Sequence, residues 1–436
     1  MNILKEVLKH EVFPALGCTE PIAVSYAASV AGQQTDGVIQ EIRIIVDPGV
    51  FKNGFAVTVP NTGGEKGNLI AGVLGALIKR PELKMEILKG AGEEMLSQAK
   101  ALIAEKKARI GFDPARTDLY IDVTVKTDQG SARAVMEGSH TNLVLLEKNT
   151  QSIFSKEDTE KSAGGQAYKQ SLRQMTIADF VDLVESMDDE DYREIGRGVD
   201  MNLEIAEIGQ KLKKVGYYIS DLMNKGFLLE DVFSAIKILT ASAADARMAG
   251  LSFPVMSSGG SGNQGIVAIL VPYKVGEFFH IEGPKVIRSI ALSHLINSYI
   301  KCFTGDLSPL CGCAIAAGVG AAVAIVYQQH GKDMKKITLA VNNLISDLGG
   351  MLCDGAKAGC ALKVASSTDS AIRAAYMAMN DHGITQTEGF IGRTAEETIW
   401  NLTAISKLGM AKVDDTMLGI MIDKTSCRLA ADDLHE

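Results

Sequence analysis

Apolar residues recur at helical spacing from the start of the chain. Ile3, Leu4, Val7, Leu8 and Val12 predict a helix over residues 2–13, ended by Pro14. A second helix is expected to begin near Pro21, with Thr19 as its cap. Its small residues (Ala23, Ser25, Ala27, Ala28, Ser29) suit close packing against other helices. From about residue 40 the period falls to two. Residues 41–46, 55–60, 119–126, 132–137 and 141–147 read as strands, with Asp128-Gln-Gly130 as a turn. Between them, residues 68–106 are helical by pattern, and Pro81 starts a new helix.

Residues 148–172 are polar and broken, which makes them the clearest boundary in the chain. From Thr176 onward nearly everything reads as helix, punctuated by caps and glycines. The expected class is α+β: an N-terminal region with a mainly antiparallel sheet, then a mostly helical C-terminal region. The expected division is an α+β domain over 1–150, a linker over 151–172 and a helical domain over 173–436, with the N-terminal helices free to pack on the helical domain. No repeat of helical-array length and no low-complexity tract is visible.

Composition narrows the function. Apolar residues make up 46% and charged residues 22%, values ordinary for a soluble globular protein. The net charge of −9, without a basic block, argues against a nucleic-acid surface. The N-terminus lacks the pattern of a secretory signal. The longest apolar stretch, 313–327, is too short and too rich in Gly and Ala for a membrane span, so it reads as a buried helix. Seven cysteines in a long chain without a signal favour reduced thiols and a cytoplasmic setting.

The cysteines are also the strongest chemical signal. Cys353-Asp-Gly-Ala-Lys-Ala-Gly-Cys360 sets two thiols among glycines, and Cys311-Gly-Cys313 lies upstream. Zinc favours closely paired Cys or His ligands, which this spacing fits poorly. Iron–sulfur clusters accept irregular spacing. In a continuous helix Cys353 and Cys360 would lie roughly 10 Å apart along the axis. Gly355 and Gly359 predict a broken helix that brings them closer. Buried core cysteines are the structural alternative.

Cys18, in Gly17-Cys-Thr-Glu-Pro21, precedes a helix N-terminus, where the dipole would lower its pKa. It reads as a reactive thiol, an extra iron ligand or a small turn residue. Ser257-Ser-Gly-Gly-Ser-Gly-Asn-Gln-Gly265 leads into an apolar element and could cradle a carboxylate or phosphate. Asn61 and Thr62 sit in a shorter loop of similar type, and His140 is a candidate acid/base. Lys52, Asp245, Arg247, His294, Lys357 and Lys363 are further polar residues near these motifs, whose type alone does not separate salt bridges from catalysis.

Gly17-Cys-Thr-Glu-Pro21, Val59-Pro-Asn-Thr-Gly63, Ser261-Gly-Asn-Gln-Gly265, Leu307-Ser-Pro-Leu-Cys311 and Cys353-Asp-Gly-Ala356…Cys360 occur in that order. Together they resemble the L-cysteine desulfidases, related to the α-domain of iron–sulfur L-serine dehydratases. The resemblance spans about residues 10–420. It implies a [4Fe–4S] cluster on Cys311, Cys353 and Cys360, with Cys313 a rival for the first position. It also implies breakdown of L-cysteine to pyruvate, ammonia and hydrogen sulfide. In that reading Ser258, Ser261, Asn263 and Gln264 hold the substrate carboxylate, as Asn61 and Thr62 would to a lesser degree. Cys18 is the first choice of base and His140 the second. Cys427 lies nine residues from the end, at odds with the C-terminal cysteine that such dehydratases can place on the free iron. Alternatives are an L-serine dehydratase, a pyridoxal-phosphate dehydratase and a non-catalytic iron–sulfur or thiol sensor. The expected partner is a small amino acid, with neither nucleic acid nor membrane, and the small-residue helical half is compatible with a homodimer.

Overall fold

The computed structural model describes residues 2–116, 118–156, 167–305 and 308–432, the last without the side chains of 425–432. Much of the expected linker, residue 307 of the fourth motif and the Cys427 side chain therefore lie outside the described residues.

Helix α1 (Ile3–Glu11) is followed by a short strand β1 (Pro14–Leu16) and helix α2 (Thr19–Gln33). Strand β2 (Ile39–Val46) leads through α3 (Pro48–Gly54), α4 (Asn68–Ile78), a 3-10 helix (Pro81–Gly90) and α5 (Glu93–Ala104) to β3 (Ala108–Phe112). Strands β4 (Tyr120–Thr127), β5 (Gly130–Glu137), β6 (Leu143–Lys148) and β7 (Gln151–Ser155) complete the sheet. The spatial order is β3-β2-β4-β5-β6-β7, with β2–β3 parallel and the other neighbours antiparallel. The parallel pair follows from its connection, because strands joined through helices can return in the same direction.

The sheet strands alternate as a one-sided layer requires. Ile42, Ile44, Val46, Ile121, Val123, Val125, Ala132, Ala134 and Met136 face α2 and α4 in one core. On the opposite face Arg133 holds Asp122 through paired bonds of 3.0 and 2.9 Å. Helices α2 and α4 approach so closely that a Cβ on Gly75 would lie 2.0 Å from the Ser25 carbonyl oxygen. Small residues make this contact possible, as the composition of α2 predicts.

Three local expectations need correction. Residues 55–60 form no strand; Thr58 makes a single bridge to Lys66. Pro60 has no N–H to extend a ladder, and Asn61, Gly63 and Gly64 have positive φ, so the chain curls back at once. Strand β7 occupies positions read as boundary. It is an exposed edge, so it carries no buried alternation to betray it. The cap of α2 is Cys18, in extended conformation, and Thr19 is the first helical residue.

The second core is helical. It contains residues 167–174 (α6), α7 (Ile177–Glu185), α8 (Asp189–Gly209), α9 (Val215–Asn224), α10 (Val232–Met248), α11 (Gly262–Phe278) and α12 (Gly283–Thr304). It continues with α13 (Ala316–His330), α14 (Met334–Leu348), α15 (Cys360–Met379), α16 (Ala395–Ala404) and α17 (Val413–Asp432). The apolar run expected to be a buried helix is α13, buried from Ala316 to Gln328 and surrounded by α11, α12, α14 and α15. Helix α1 joins this core through Ile3, Leu4 and Val7. Strand β1 pairs with β8 (Pro254–Met256), which stitches the start of the chain to the helical half just ahead of the Ser/Gly turn. No described helix is long and apolar enough to cross a membrane.

Candidate active site

The cysteine loops are held together by backbone. Leu310 and Leu352 form an antiparallel bridge, flanked by Cys311 N–H to the Met351 carbonyl (2.9 Å) and Cys353 N–H to the Pro309 carbonyl (2.7 Å). This sets Cys311 beside Cys353. Gly355 has φ +91°, and a Cβ there would lie 2.4 Å from the Lys52 carbonyl oxygen. The chain therefore breaks against α3 and turns to Cys360, the first residue of α15, as the two glycines predict. Cys313 is a hydrogen-bonding neighbour of Cys311 and lies within electrostatic reach of Cys353 and Cys360. That bond from Cys313 lowers Cys311 to about 6 against the effect of burial. Burial pushes Cys353 and Cys360 upward. Lys363 closes the cluster loop on Leu352 O (2.6 Å) and Asp354 (2.7 Å), and Lys357 pairs with the same carboxylate.

The donor set discriminates between two kinds of metal centre. A single ion draws all its thiolates to within about 2.3 Å of one point. Among the described residues no group of three His, Cys, Asp or Glu side chains could hold one ion. A cluster instead takes each thiolate at a different corner, so its ligands need convergence without mutual contact. The converging thiols, with Lys357 and Lys363 nearby to offset their charge, fit a cluster.

On the N-terminal side, Cys18 donates to Glu20 Oε2 at 2.8 Å. Asn53 donates to Glu20 Oε1 at 3.3 Å, and His140 Nε2 approaches the same oxygen at 4.0 Å. The expected lowering of the Cys18 pKa by the helix dipole is reversed: burial, then the Glu20 charge, push the thiol well up. For Glu20, burial acts upward, but His140, the Cys18 thiol and Arg247 hold its carboxyl below the usual range. The result is a protonated thiol bonded to an ionised carboxylate. Asn53 also ties this group to the cysteines, since its carbonyl accepts from Ala356 N–H at 3.3 Å.

The Ser/Gly motif forms a tight turn, with Gly259 and Gly260 at positive φ, that feeds α11. Ser258 is buried; its Oγ lies 2.8 Å from His294 Nδ1 and accepts from Asn297 at 2.9 Å. Burial lowers His294 to about 3, so the ring is neutral. Ser257 is fixed from α1, donating to the Glu11 carbonyl and accepting from Phe13 N–H, both at 2.9 Å. Ser261 caps α11 without a side-chain bond. Asn263 and Gln264 are buried, and their Oδ1 and Oε1 have no partner among the described residues. Gln264 packs on Gly312, where a Cβ would lie 2.6 Å from its Nε2, so the turn abuts the Cys311–Cys313 loop.

The structure thus brings Cys18 and His140 together on Glu20, and Gln264 to the first cysteine loop. Asn61 and Thr62 are engaged in bonds of their own. Asn61 is exposed, donates to Leu88 O (2.9 Å) and accepts from Ser252, while Thr62 donates to Val59 O (2.7 Å). Lys52 is buried and paired with Asp414 of α17 at 2.6 Å, and Asp245 accepts from Gly216 N–H.

The family model described as serine dehydratase alpha chain matches residues 82–419. The chain belongs to the serine dehydratase alpha chain family. Within this similarity stand a UPF0597 protein of Geobacter sulfurreducens, 63% identical over 98% of this chain and 99% of that protein, and a UPF0597 protein of Elusimicrobium minutum, 54% identical over 97% and 100%. A UPF0597 protein of Clostridium tetani is 40% identical over 97% and 99%. Membership of the serine dehydratase alpha chain family points to a dehydratase-type lyase and agrees with the iron–sulfur fit of the thiols. Residue type alone left several members of the site unassigned. Glu20 was visible inside the first motif, but its role appears only once Cys18 and His140 meet on it. Arg247 and His294 carried no signal beyond being polar.

Proposed function

We propose that this protein is an iron–sulfur-dependent lyase that converts L-cysteine to pyruvate, ammonia and hydrogen sulfide. The observation that carries the reading is the meeting of the Cys311, Cys313, Cys353 and Cys360 thiols beside a buried, incompletely bonded polar turn, with the Cys18–Glu20–His140 group close by. Cys311, Cys353 and Cys360 would hold a [4Fe–4S] cluster, with Cys313 the alternative to Cys311. When bound, the cluster supplies Lewis acidity at an iron without a protein ligand.

The chain's own residues do the remaining work. The turn from Ser258 to Gln264 binds the amino acid and fixes its orientation, which lowers the entropic part of the barrier. Ser258 is itself locked by His294 and Asn297. Elimination breaks Cα–H and Cβ–S and forms a Cα–Cβ double bond. Cys18 would take the Cα proton as its own proton moves along the existing 2.8 Å bond to Glu20, and Glu20 would then give that proton to the departing hydrosulfide, which restores the ionised carboxylate and the protonated thiol. His140, behind Glu20, favours the ionised carboxylate before each cycle. Released aminoacrylate tautomerises and takes up water to give pyruvate and ammonia, and the sulfur leaves as hydrogen sulfide.

A second reading, L-serine dehydration, is favoured by the family match. The same groups would serve it, because the two substrates differ at one atom and an apolar pocket separates near-isosteres weakly. A pyridoxal-phosphate dehydratase is disfavoured by the same match and by a Ser/Gly turn set among helices rather than in a parallel sheet. The test is anaerobic purification, iron and sulfide content, then pyruvate and sulfide release from L-cysteine and L-serine separately. Cysteine-dependent sulfide supports the desulfidase. Pyruvate from serine alone selects the dehydratase, and neither product from iron-loaded protein removes the lyase and leaves the sensor.

A further inference from the structure

Arg247, near the end of α10, is 3% exposed. Its guanidinium packs directly on the first residue of α11: a Cβ on Gly262 would lie 2.4 Å from Arg247 Nε and 2.9 Å from its Cζ. Among the described residues no carboxylate lies within ion-pair distance of it, and its Nε has no hydrogen-bond partner. Cys18, Glu20 and Cys360 are within its electrostatic reach only. A buried cation without a carboxylate partner is costly, and arginine, whose pKa stays high, cannot escape by losing its proton. Everything else about its position asks for an anion. It faces the amino end of a 17-residue helix that carries no side-chain cap. That end has free amides and a positive dipole. Beside it, the buried oxygens Asn263 Oδ1 and Gln264 Oε1 lack donors.

We infer that Arg247 and the amino end of α11 form a zwitterion clamp, in which the guanidinium takes the substrate's free α-carboxylate and the amide oxygens of Asn263 and Gln264 take its ammonium. The inference rests on the amino-acid lyase reading and deepens it: it names Arg247 as the residue that reads the carboxylate of the substrate. A guanidinium fork matches a carboxylate in two parallel bonds, and an ammonium brings donors to acceptors that have none. Gln264 rests on Gly312, so a ligand held there sits one side chain from the first cysteine loop.

The test uses the full, iron-loaded protein under anaerobic conditions, with L-cysteine and L-serine as ligands and cysteamine, which has no carboxylate, as the control. For Arg247→Met the expected result is a rise of about 100-fold in KM or Kd for the amino acid, the range for losing one partner of a buried charge pair. Inhibition by cysteamine and iron content should stay unchanged. Without ligand the Arg247→Met melting temperature should equal or exceed that of the parent, because an unpaired buried charge is gone; the stabilisation by L-serine should vanish. Gly262→Ala, which keeps the arginine but displaces it, should weaken the amino acid in the same selective way. A melting temperature several degrees lower, or loss of iron, would make Arg247 a structural or cluster-supporting cation and overturn the clamp. Equal weakening of cysteamine and cysteine overturns it too. Amino-acid stabilisation that needs Arg247 but yields no pyruvate keeps the clamp and discards the lyase; pyruvate formed with unaltered KM in Arg247→Met does the reverse.

Discussion

The two sides of the candidate site are finished to different degrees. On the N-terminal side most polar groups satisfy one another: Cys18 and Asn53 both donate to Glu20, and Asn61 and Thr62 are spent on local carbonyls, which leaves Asn53 Oδ1 as the orphan beside Glu20 among the described residues. On the helical side Arg247 Nε, Asn263 Oδ1 and Gln264 Oε1 are buried without partners among the described residues. Buried polar groups are ordinarily paired, and each exception needs a cause. The contrast assigns the labour. The side that handles protons is largely bonded to itself in the free protein, while the side that binds keeps more of its groups for what it binds.

The comparison breaks most decisively at the thiols. Cys353→Ala removes a residue central to the converging group, and the expected outcome is loss of iron with no detectable turnover, read by metal analysis and absorbance. Retained iron would remove Cys353 from the set of ligands. Next, Glu20→Gln keeps the shape of the N-terminal group and removes its charge; kcat should fall by about 10²–10⁴, the usual contribution of a positioned acid or base. KM and iron content should stay within a few-fold. A rise in KM alone would move Glu20 to the binding side.

A smaller effect sharpens the contrast from the helical side. Burial lowers His294 to about 3, against about 6.5 in an unfolded chain. Between those values the unfolded chain binds the proton and the folded one does not, so stability falls as pH drops below about 6.5. The slope is about 1.4 kcal/mol per pH unit, or about 2 kcal/mol between pH 7 and pH 5. His294→Gln should flatten that part of the urea-stability profile; an unchanged slope would assign it to other groups. Least is expected from Asn61→Ala: a loss of about 1 kcal/mol of stability from broken surface bonds, with KM unaltered.

What could be read from the sequence follows from how local each signal is. The thiols at 311, 353 and 360 and the helix break at Gly355 depend on nearby residues, and the sequence carries them. So does the one-sided alternation of β4 and β5. Strand β3 and strand β7 were invisible for different reasons: β3 is short and pairs only after a long helical crossover, and β7 has no buried face. The Cys18 pKa went the other way because burial and a carboxylate two residues on outweigh a helix dipole. Arg247 shows the limit most clearly. Its significance lies in a buried Nε that no described residue bonds, and a missing bond is a property of the fold, not of any window of sequence.

The backbone pairing between the Cys311 and Cys353 segments carries one more consequence. In small zinc domains the metal is the scaffold, and extraction unfolds the chain. Here hydrogen bonds from the cysteines' own amides also hold the two loops to each other. Oxygen that strips iron from such a site would leave a socket rather than a wreck. Recovery would then be a matter of re-supplying iron and reducing equivalents, not of synthesising the protein again.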